Sequence, residues 1–368
     1  DLGDHEHTQG LPGEHHLLTV RAHDTTPAFA GVHEVGGRVG LFPAGGGGAL
    51  RAAMDRLDPD LVHLHAGALG PLLSTLPVLR HRAGVLTVYG WPTLPGPATW
   101  RRATMAELRS SNVLRPRVAL TTALPATVAA AALRHSGFTR VLTPDPRVEQ
   151  RLGHRRGLRV VRLPSGAPID GRRARFDPDR PVIVFAGRAE TVRGLDTLLA
   201  AFALVHRRVP TAVLRLLLIP RPGLAAIVAT IVAAAGRDGL ADAVEVVTEP
   251  VPDLLAELAA AQVGTWPFKF DYTTSPPAMA VAEAMSVGLP VVGTDVACVR
   301  AVLDGGVNGL VVPPADPAAL AGALTELITE GSSHGIHLIA TIDTFNNINR
   351  FMSRKALSEF EMRVVFQM

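Results

Sequence analysis

The sequence predicts an α/β fold of two doubly wound parallel sheets, and three observations predict it. A chain of 368 residues is longer than one hydrophobic core usually organises. Apolar residues at 47% against 19% charged supply strands that can be buried on both faces, and they exclude a disordered chain. Apolar strand-like runs alternate with helix-period stretches in two successive series, the pattern of βαβ units.

The first series fills 1–165. Its strands are predicted at 16–20, 38–42, 61–65, 85–89, 118–122 and 140–143. Helical stretches at 50–57, 126–133 and 146–152 each begin near a Gly, Pro or Thr, which mark helix starts. Residues 166–180 combine breakers and charge without periodicity and read as a linker. The second series, 181–328, has strands at 182–186, 213–219, 244–248, 264–267, 290–293 and 309–312. Helices are predicted between them at 194–205, 223–235, 252–261, 277–287 and 297–303, and after them at 317–328. The helix at 223–235 contains no charged residue, so full burial is expected, with contact to a membrane or partner as the other reading. Residues 329–368 form a tail of different composition, in which Asn346, Asn347 and Asn349 cluster.

Arginine supplies nearly all the positive charge: Lys269 and Lys355 are the only lysines in a chain of net charge +3. That bias fits a GC-rich coding sequence first, and a surface that attracts phosphates or anionic lipid second. One cysteine, Cys298, excludes an internal disulfide framework and fits a reducing, cytoplasmic compartment. The most apolar run, 224–235, is shorter than the roughly 20 residues a spanning helix needs. The sequence opens on Asp1 without a signal-peptide pattern, so a missing upstream piece is expected.

Chemistry is concentrated in two stretches. Phe185-Ala-Gly-Arg-Ala-Glu-Thr-Val-Arg-Gly-Leu-Asp196 joins a strand to a helix. A glycine loop, a helix amino end and two guanidinium groups, Arg188 and Arg193, suit an anion, and equally a plain turn with two solvated arginines. The second stretch, from Trp266 to Val292, runs strand, polar loop, proline-led helix and strand. Pro277 stands near the helix start, with Thr274 or Ser275 as its cap. Glu283 lies inside that otherwise apolar helix, where a carboxylate must be paired, solvated in a cleft or bound to a ligand hydroxyl. Taken alone, it reads first as the partner of an arginine.

Gly187-Arg188 followed by Arg193-Gly194, Leu198-Leu-Ala-Ala-Phe202, Glu283-Ala-Met, Gly288-Leu-Pro-Val-Val, Asn308-Gly-Leu-Val-Val-Pro-Pro and Asp316-Pro-Ala-Ala-Leu320 resemble, in order and spacing, the retaining GT-B glycosyltransferases of the group 1 type. A weaker match continues through Pro59-Asp-Leu-Val-His-Leu-His65, Val85-Leu-Thr-Val-Tyr-Gly90 and Val161-Arg-Leu-Pro-Ser-Gly166, so the resemblance spans most of 16–328. It implies two Rossmann-like domains facing a cleft, and a hexosyltransferase-type enzyme. Such an enzyme moves a sugar from a nucleotide-diphosphate donor to an acceptor, with retention and with no metal or other cofactor. It implies Arg188 and Arg193 at the leaving diphosphate, where charge grows in the transition state. It places Glu283 on the ribose, and Gly187, Thr274, Ser275, Ala278 and Met279 around the donor. The acceptor it implies is a glycan or a lipid-linked molecule, with peripheral membrane contact and no nucleic acid.

The departures from the family pattern are specific. Arg193 stands where the family usually has Lys, and Ser275 where it has a second Glu gripping the sugar. Pro276 and Pro277 have no N–H to offer where the family has amides. Tyr89 stands where many relatives have a His near the reacting carbon; the resemblance keeps it among the catalytic candidates as a hydrogen-bonding group for the sugar, though a poor general base near neutral pH. These changes motivate a second reading, a catalytically inactive scaffold of the same fold that binds nucleotide or a partner protein.

The family's first strand and glycine loop have no counterpart in 1–15, so the chain is expected to lack them. Gly45-Gly-Gly-Gly48 is read first as a flexible connection and second as a lining of the acceptor cleft, and His5, His7, His15 and His16 as lacking metal-site spacing. His63 and His65 alternate on a strand and are expected to face one side, in burial or a cleft-edge hydrogen bond and not on a metal. The tail resembles a fragment of FtsK-type ATPases; with no phosphate loop in the chain, it brings no motor activity.

Overall fold

A computed structural model describes residues 16–19, 31–34, 46–66, 84–91, 103–110, 124–163, 166–169, 171–174, 179–271 and 273–329. The strands expected at 38–42 and 118–122, the histidines at 5, 7 and 15, and the tail beyond 329 lie outside these residues.

Among the described residues there are three parallel sheets. β1 (His16–Thr19) pairs with β2 (Gly31–Glu34). A four-stranded sheet runs in chain order through β3 (Val62–Ala66), β4 (Gly84–Val88), β5 (Phe138–Thr143) and β6 (Arg159–Arg162). α1 (Gly46–Leu57) precedes it, and α2 (Met105–Ser110), α3 (Ala126–His135) and α4 (Pro146–Leu152) follow its strands. Its core joins Met54, Leu86, Val88, Trp91, Leu133, Phe138 and Leu152. The run at Gly46, Gly47 and Gly48 belongs to the first turn of α1, so the flexible connection expected there is corrected. The amides of a first turn have no intrahelical partner, so glycine costs least at that end.

The third sheet, of six strands, contains β7 (Val182–Gly187), β8 (Val213–Leu218), β9 (Val244–Val247), β10 (Val263–Trp266), β11 (Val291–Thr294) and β12 (Leu310–Val312). Their spatial order is β12-β11-β10-β7-β8-β9, with every pairing parallel. The chain leaves β7 toward β8 on one side and returns on the other at β10. That reversal is the doubly wound switch point, and loops at the carboxyl ends of β7 and β10 open there together. Helices α5 (Leu195–Arg208), α6 (Leu224–Arg237), α7 (Leu254–Ala259), α8 (Met279–Ser286), α9 (Ala297–Arg300) and α10 (Pro317–Thr329) connect and cover the strands. Phe185, Phe202, Trp266 and Leu198 are fully buried among them.

The full burial expected for the uncharged helix is also corrected. α6 buries Leu224, Ile231 and Ala235, whereas Val232 is 54% exposed. One stripe suffices to cover the sheet, and the alanines on the other face carry little apolar surface. No helix among the described residues is long and apolar enough to cross a membrane.

Candidate active site

The loop after β7 is built around a glycine. Gly194, at φ 76°, ends the 3-10 turn Thr191–Arg193 and begins α5. A Cβ there would lie 1.9 Å from the Pro267 carbonyl oxygen, so only glycine lets this loop reach the end of β10. The Lys269 N–H donates to the Val192 carbonyl at 3.0 Å and the Thr273 hydroxyl to the same oxygen at 3.2 Å. The two loops of the switch point are thus stitched into one surface.

Arg188 and Arg193 both rise from this surface and differ in setting. Arg188 is exposed. Arg193 is largely buried: its guanidinium lies 5.1 Å from the centre of the Phe268 ring, and its Nε donates to Glu190 at 3.4 Å. Burial pulls the Arg193 pKa below its ordinary value, the charge of Arg188 adds to that, and Glu190 opposes it. Glu190 also pairs with Arg221 at 2.9 Å, so one carboxylate holds two guanidinium groups in place. Gly187 sits beside this pair, with an Arg193 terminal nitrogen 3.6 Å from where its Cβ would be.

Across the switch point, α8 begins at Met279, two residues later than the sequence predicts. Its N-cap is Ala278, with no side-chain cap, so neither Thr274 nor Ser275 caps it and Pro277 lies outside it. The Ala278 N–H donates to the Cys298 carbonyl at 2.9 Å, which ties the chain to a neighbouring element before the helix can start. The N–H groups of Met279 and Ala280 have no acceptor among the described residues, which leaves two amides at a helix amino end. Thr274 and Ser275 are half-buried.

Glu283 lies one turn further along α8. The arginine partner expected for it is absent among the described residues: no ion pair or hydrogen bond to its carboxylate is present, and burial alone raises its pKa. The arginines of the loops after β7 and β8 are set otherwise: Arg193 and Arg221 pair with Glu190, and Arg188 is exposed. Glu283 is therefore a half-buried carboxylate that lacks a protein partner. A cavity of about 640 Å³, lined by Asp295, Arg300, Gly305, Gly306 and Glu326, lies at the β12 edge of the sheet and does not include these groups.

The carboxyl end of β4 meets this surface from the other sheet. A Cβ on Gly90 would lie 2.7 Å from Ser275 Oγ, so the two lobes touch there. Beside it, Tyr89 Oη is hydrogen-bonded to His65 Nδ1 at 3.0 Å, and His63 Nε2 to Thr87 Oγ1 at 2.8 Å. The rings of His63 and His65 are 4.2 Å apart on one face, as their spacing predicts. Asp145, fully buried, caps α4, accepts the Trp91 N–H at 3.0 Å and pairs with Arg147 at 2.9 Å.

Sequence reasoning passes over Asp145, Glu107, Glu190 and the partners of Lys269. Signals for three of the four carboxylates were present: Asp145-Pro146 is a cap followed by a first-turn proline, Thr104-Met-Ala-Glu107 is a capping box, and Glu190 is three residues from Arg193.

Residues 180–330 match the family model for Glycosyl transferases group 1. No curated protein matches the chain in sequence. Among solved structures, sucrose-phosphate synthase from Thermosynechococcus elongatus superposes with a TM-score of 0.61 at 19% identity, covering 84% of this chain and 77% of that one. HepE from Anabaena, solved with UDP and glucose, gives 0.56 at 15% identity over 78% and 73%. The α,α-trehalose 6-phosphate synthase of Burkholderia multivorans gives 0.55 at 16% over 79% and 71%. The chain thus has the GT-B fold of these structures, and its residues 180–330 match the model for Glycosyl transferases group 1.

Proposed function

We propose that this protein is a cytoplasmic, retaining, hexosyltransferase-type glycosyltransferase that uses a nucleotide-diphosphate sugar. One observation carries the reading: Glu283 is a half-buried carboxylate with no partner among the described residues, on the helix that follows the switch-point loops. A ribose offers two vicinal hydroxyls that such a carboxylate can accept, which offsets the cost of its burial. Arg188, Arg193 and the amides of Met279 and Ala280 would then face the diphosphate. As the bond from the anomeric carbon to the β-phosphate oxygen breaks, charge grows on that phosphate and these groups stabilise it. The acceptor oxygen bonds to the same carbon on the same face, and its proton passes to the departing phosphate. Two arginines supply the positive charge a metal would bring, so the reaction is read as metal-independent.

UDP and UDP-glucose are the first compounds to test, since HepE was solved with them. GDP, ADP and their sugars form the rest of the panel, scored by thermal shift and calorimetry. Arg188→Ala should lower affinity for the bound nucleotide by about 10- to 100-fold, the equivalent of losing ~1.5–3 kcal/mol of charge-assisted hydrogen bonding. Unchanged binding in that variant refutes the site. A glycan or lipid-linked acceptor, with peripheral membrane contact, completes the reading.

The contact of Gly90 with Ser275 favours a second reading, an inactive scaffold of the same fold, because a serine fills the place of the sugar-gripping acid. Nucleotide binding without turnover across the donor panel selects it.

A further inference from the structure

Lys269 is one of two lysines in a chain that otherwise uses arginine, and its side chain is only 10% exposed. Its ammonium lies 2.7 Å from Glu107 Oε1 and 2.7 Å from Asp196 Oδ2. A compact charge with three donors fits between two carboxylates that approach from different directions, where a planar guanidinium does not.

The two carboxylates belong to different lobes. Asp196 is in the first turn of α5, three residues after Arg193. Glu107 is in α2, in the lobe of the four-stranded sheet, and it is held before Lys269 reaches it. Its Oε2 accepts the Thr104 N–H at 2.7 Å and the Thr104 hydroxyl at 3.0 Å, while Thr104 Oγ1 accepts the Glu107 N–H at 3.3 Å. This capping box fixes one carboxylate oxygen and aims the other at Lys269. At its other end Lys269 is rooted by its backbone in the turn Thr191–Arg193, against which α2 also packs.

We propose that Lys269 and Glu107 form an interdomain latch that holds α2 against the turn carrying Arg193, coupling occupancy of the anion loop to closure of the two lobes. The coupling to ligand rests on the nucleotide-sugar reading; the latch does not. The charges agree with it. Burial would lower the Lys269 pKa, yet hydrogen bonds and charges of Asp196 and Glu107 raise it above its ordinary value. Burial would raise that of Glu107, yet Lys269 and Thr104 bring it below the usual carboxylate range.

Hydrogen exchange on the full chain tests the latch. Lys269→Met removes the charge and keeps the stem; Glu107→Gln keeps a capping-box residue and loses the ionic partner. Each should speed exchange at 103–110 and 190–196 together, by about tenfold, and reduce the protection that added UDP confers on 103–110. Asp196→Asn, at an exposed carboxylate, should leave 103–110 unchanged. Faster exchange confined to 190–196 would make Lys269 a local brace and overturn the proposal, as would full UDP protection of 103–110 in either variant. If the wild type binds no tested nucleotide, the nucleotide-sugar reading fails, and exchange without ligand alone decides the latch.

Discussion

The lobe of the six-stranded sheet and that of the four-stranded sheet shape their carboxyl ends by different means. β10 and β11 are buried at every position, and the loops beyond β7 and β10 rest on close backbone contacts, Gly194 against Pro267 and Lys269 N–H on Val192, to which the Thr273 hydroxyl and Glu190 add side-chain ties. The smaller sheet ends in β6, with exposed Arg159 and Arg162, and its mouth is organised by side chains. His65 holds Tyr89, His63 holds Thr87, the Thr143 hydroxyl donates to the Val88 carbonyl at 2.7 Å, and Asp145 gathers Trp91 and Arg147. Close backbone contacts shape the loops proposed to meet the diphosphate, whereas side-chain networks shape the facing wall.

The largest expected effect breaks the backbone side. Gly194→Ala combines a φ of 76° with a Cβ 1.9 Å from a carbonyl oxygen, and should cost about 2–4 kcal/mol in chemical denaturation. Asp145→Ala tests the side-chain wall. It strands a half-buried Arg147, a buried amide and an uncapped helix, and should cost about 2–3 kcal/mol, discounted for the solvent that still reaches Arg147. A loss under 1 kcal/mol at Asp145 would mean that this wall is looser than its bonds suggest.

The smallest effect sharpens the comparison, because it should have opposite signs in stability and binding. Burial raises the Glu283 pKa in the folded protein, so its ionised form burdens the fold at neutral pH. That burden fades as pH falls through the folded pKa into the usual carboxylate range, where the group is protonated in both states. Glu283→Gln should therefore raise Tm by on the order of one or two degrees at pH 7–8, a gain that shrinks toward pH 4, while weakening nucleotide binding. A lower Tm at pH 7 would reveal a partner for Glu283 and weaken the case for a ligand there.

The six-stranded sheet was legible to within about a residue, because its strands are mostly apolar, broken within by no charge but Arg215 and Glu245, and are followed closely by Gly, Pro or charged residues. β2 and β6 were not: Gly31-Val-His-Glu34 carries one apolar side chain, and Val160-Val161 sits between arginines, so neither has a period to read. Arg188, Arg193 and Glu283 could be named from motif order alone. The lack of a partner for Glu283 among the described residues, and the pair of Lys269 with Glu107 across 162 positions, emerge only once the sheets are assembled.

Because lysine is almost absent, Lys269 gives this protein a built-in chemical gauge. An acylating reagent aimed at primary amines meets few targets here, and this one is 10% exposed and held protonated by two acids. The speed at which Lys269 is acylated would report how often the lobes part, with no probe engineered into the chain.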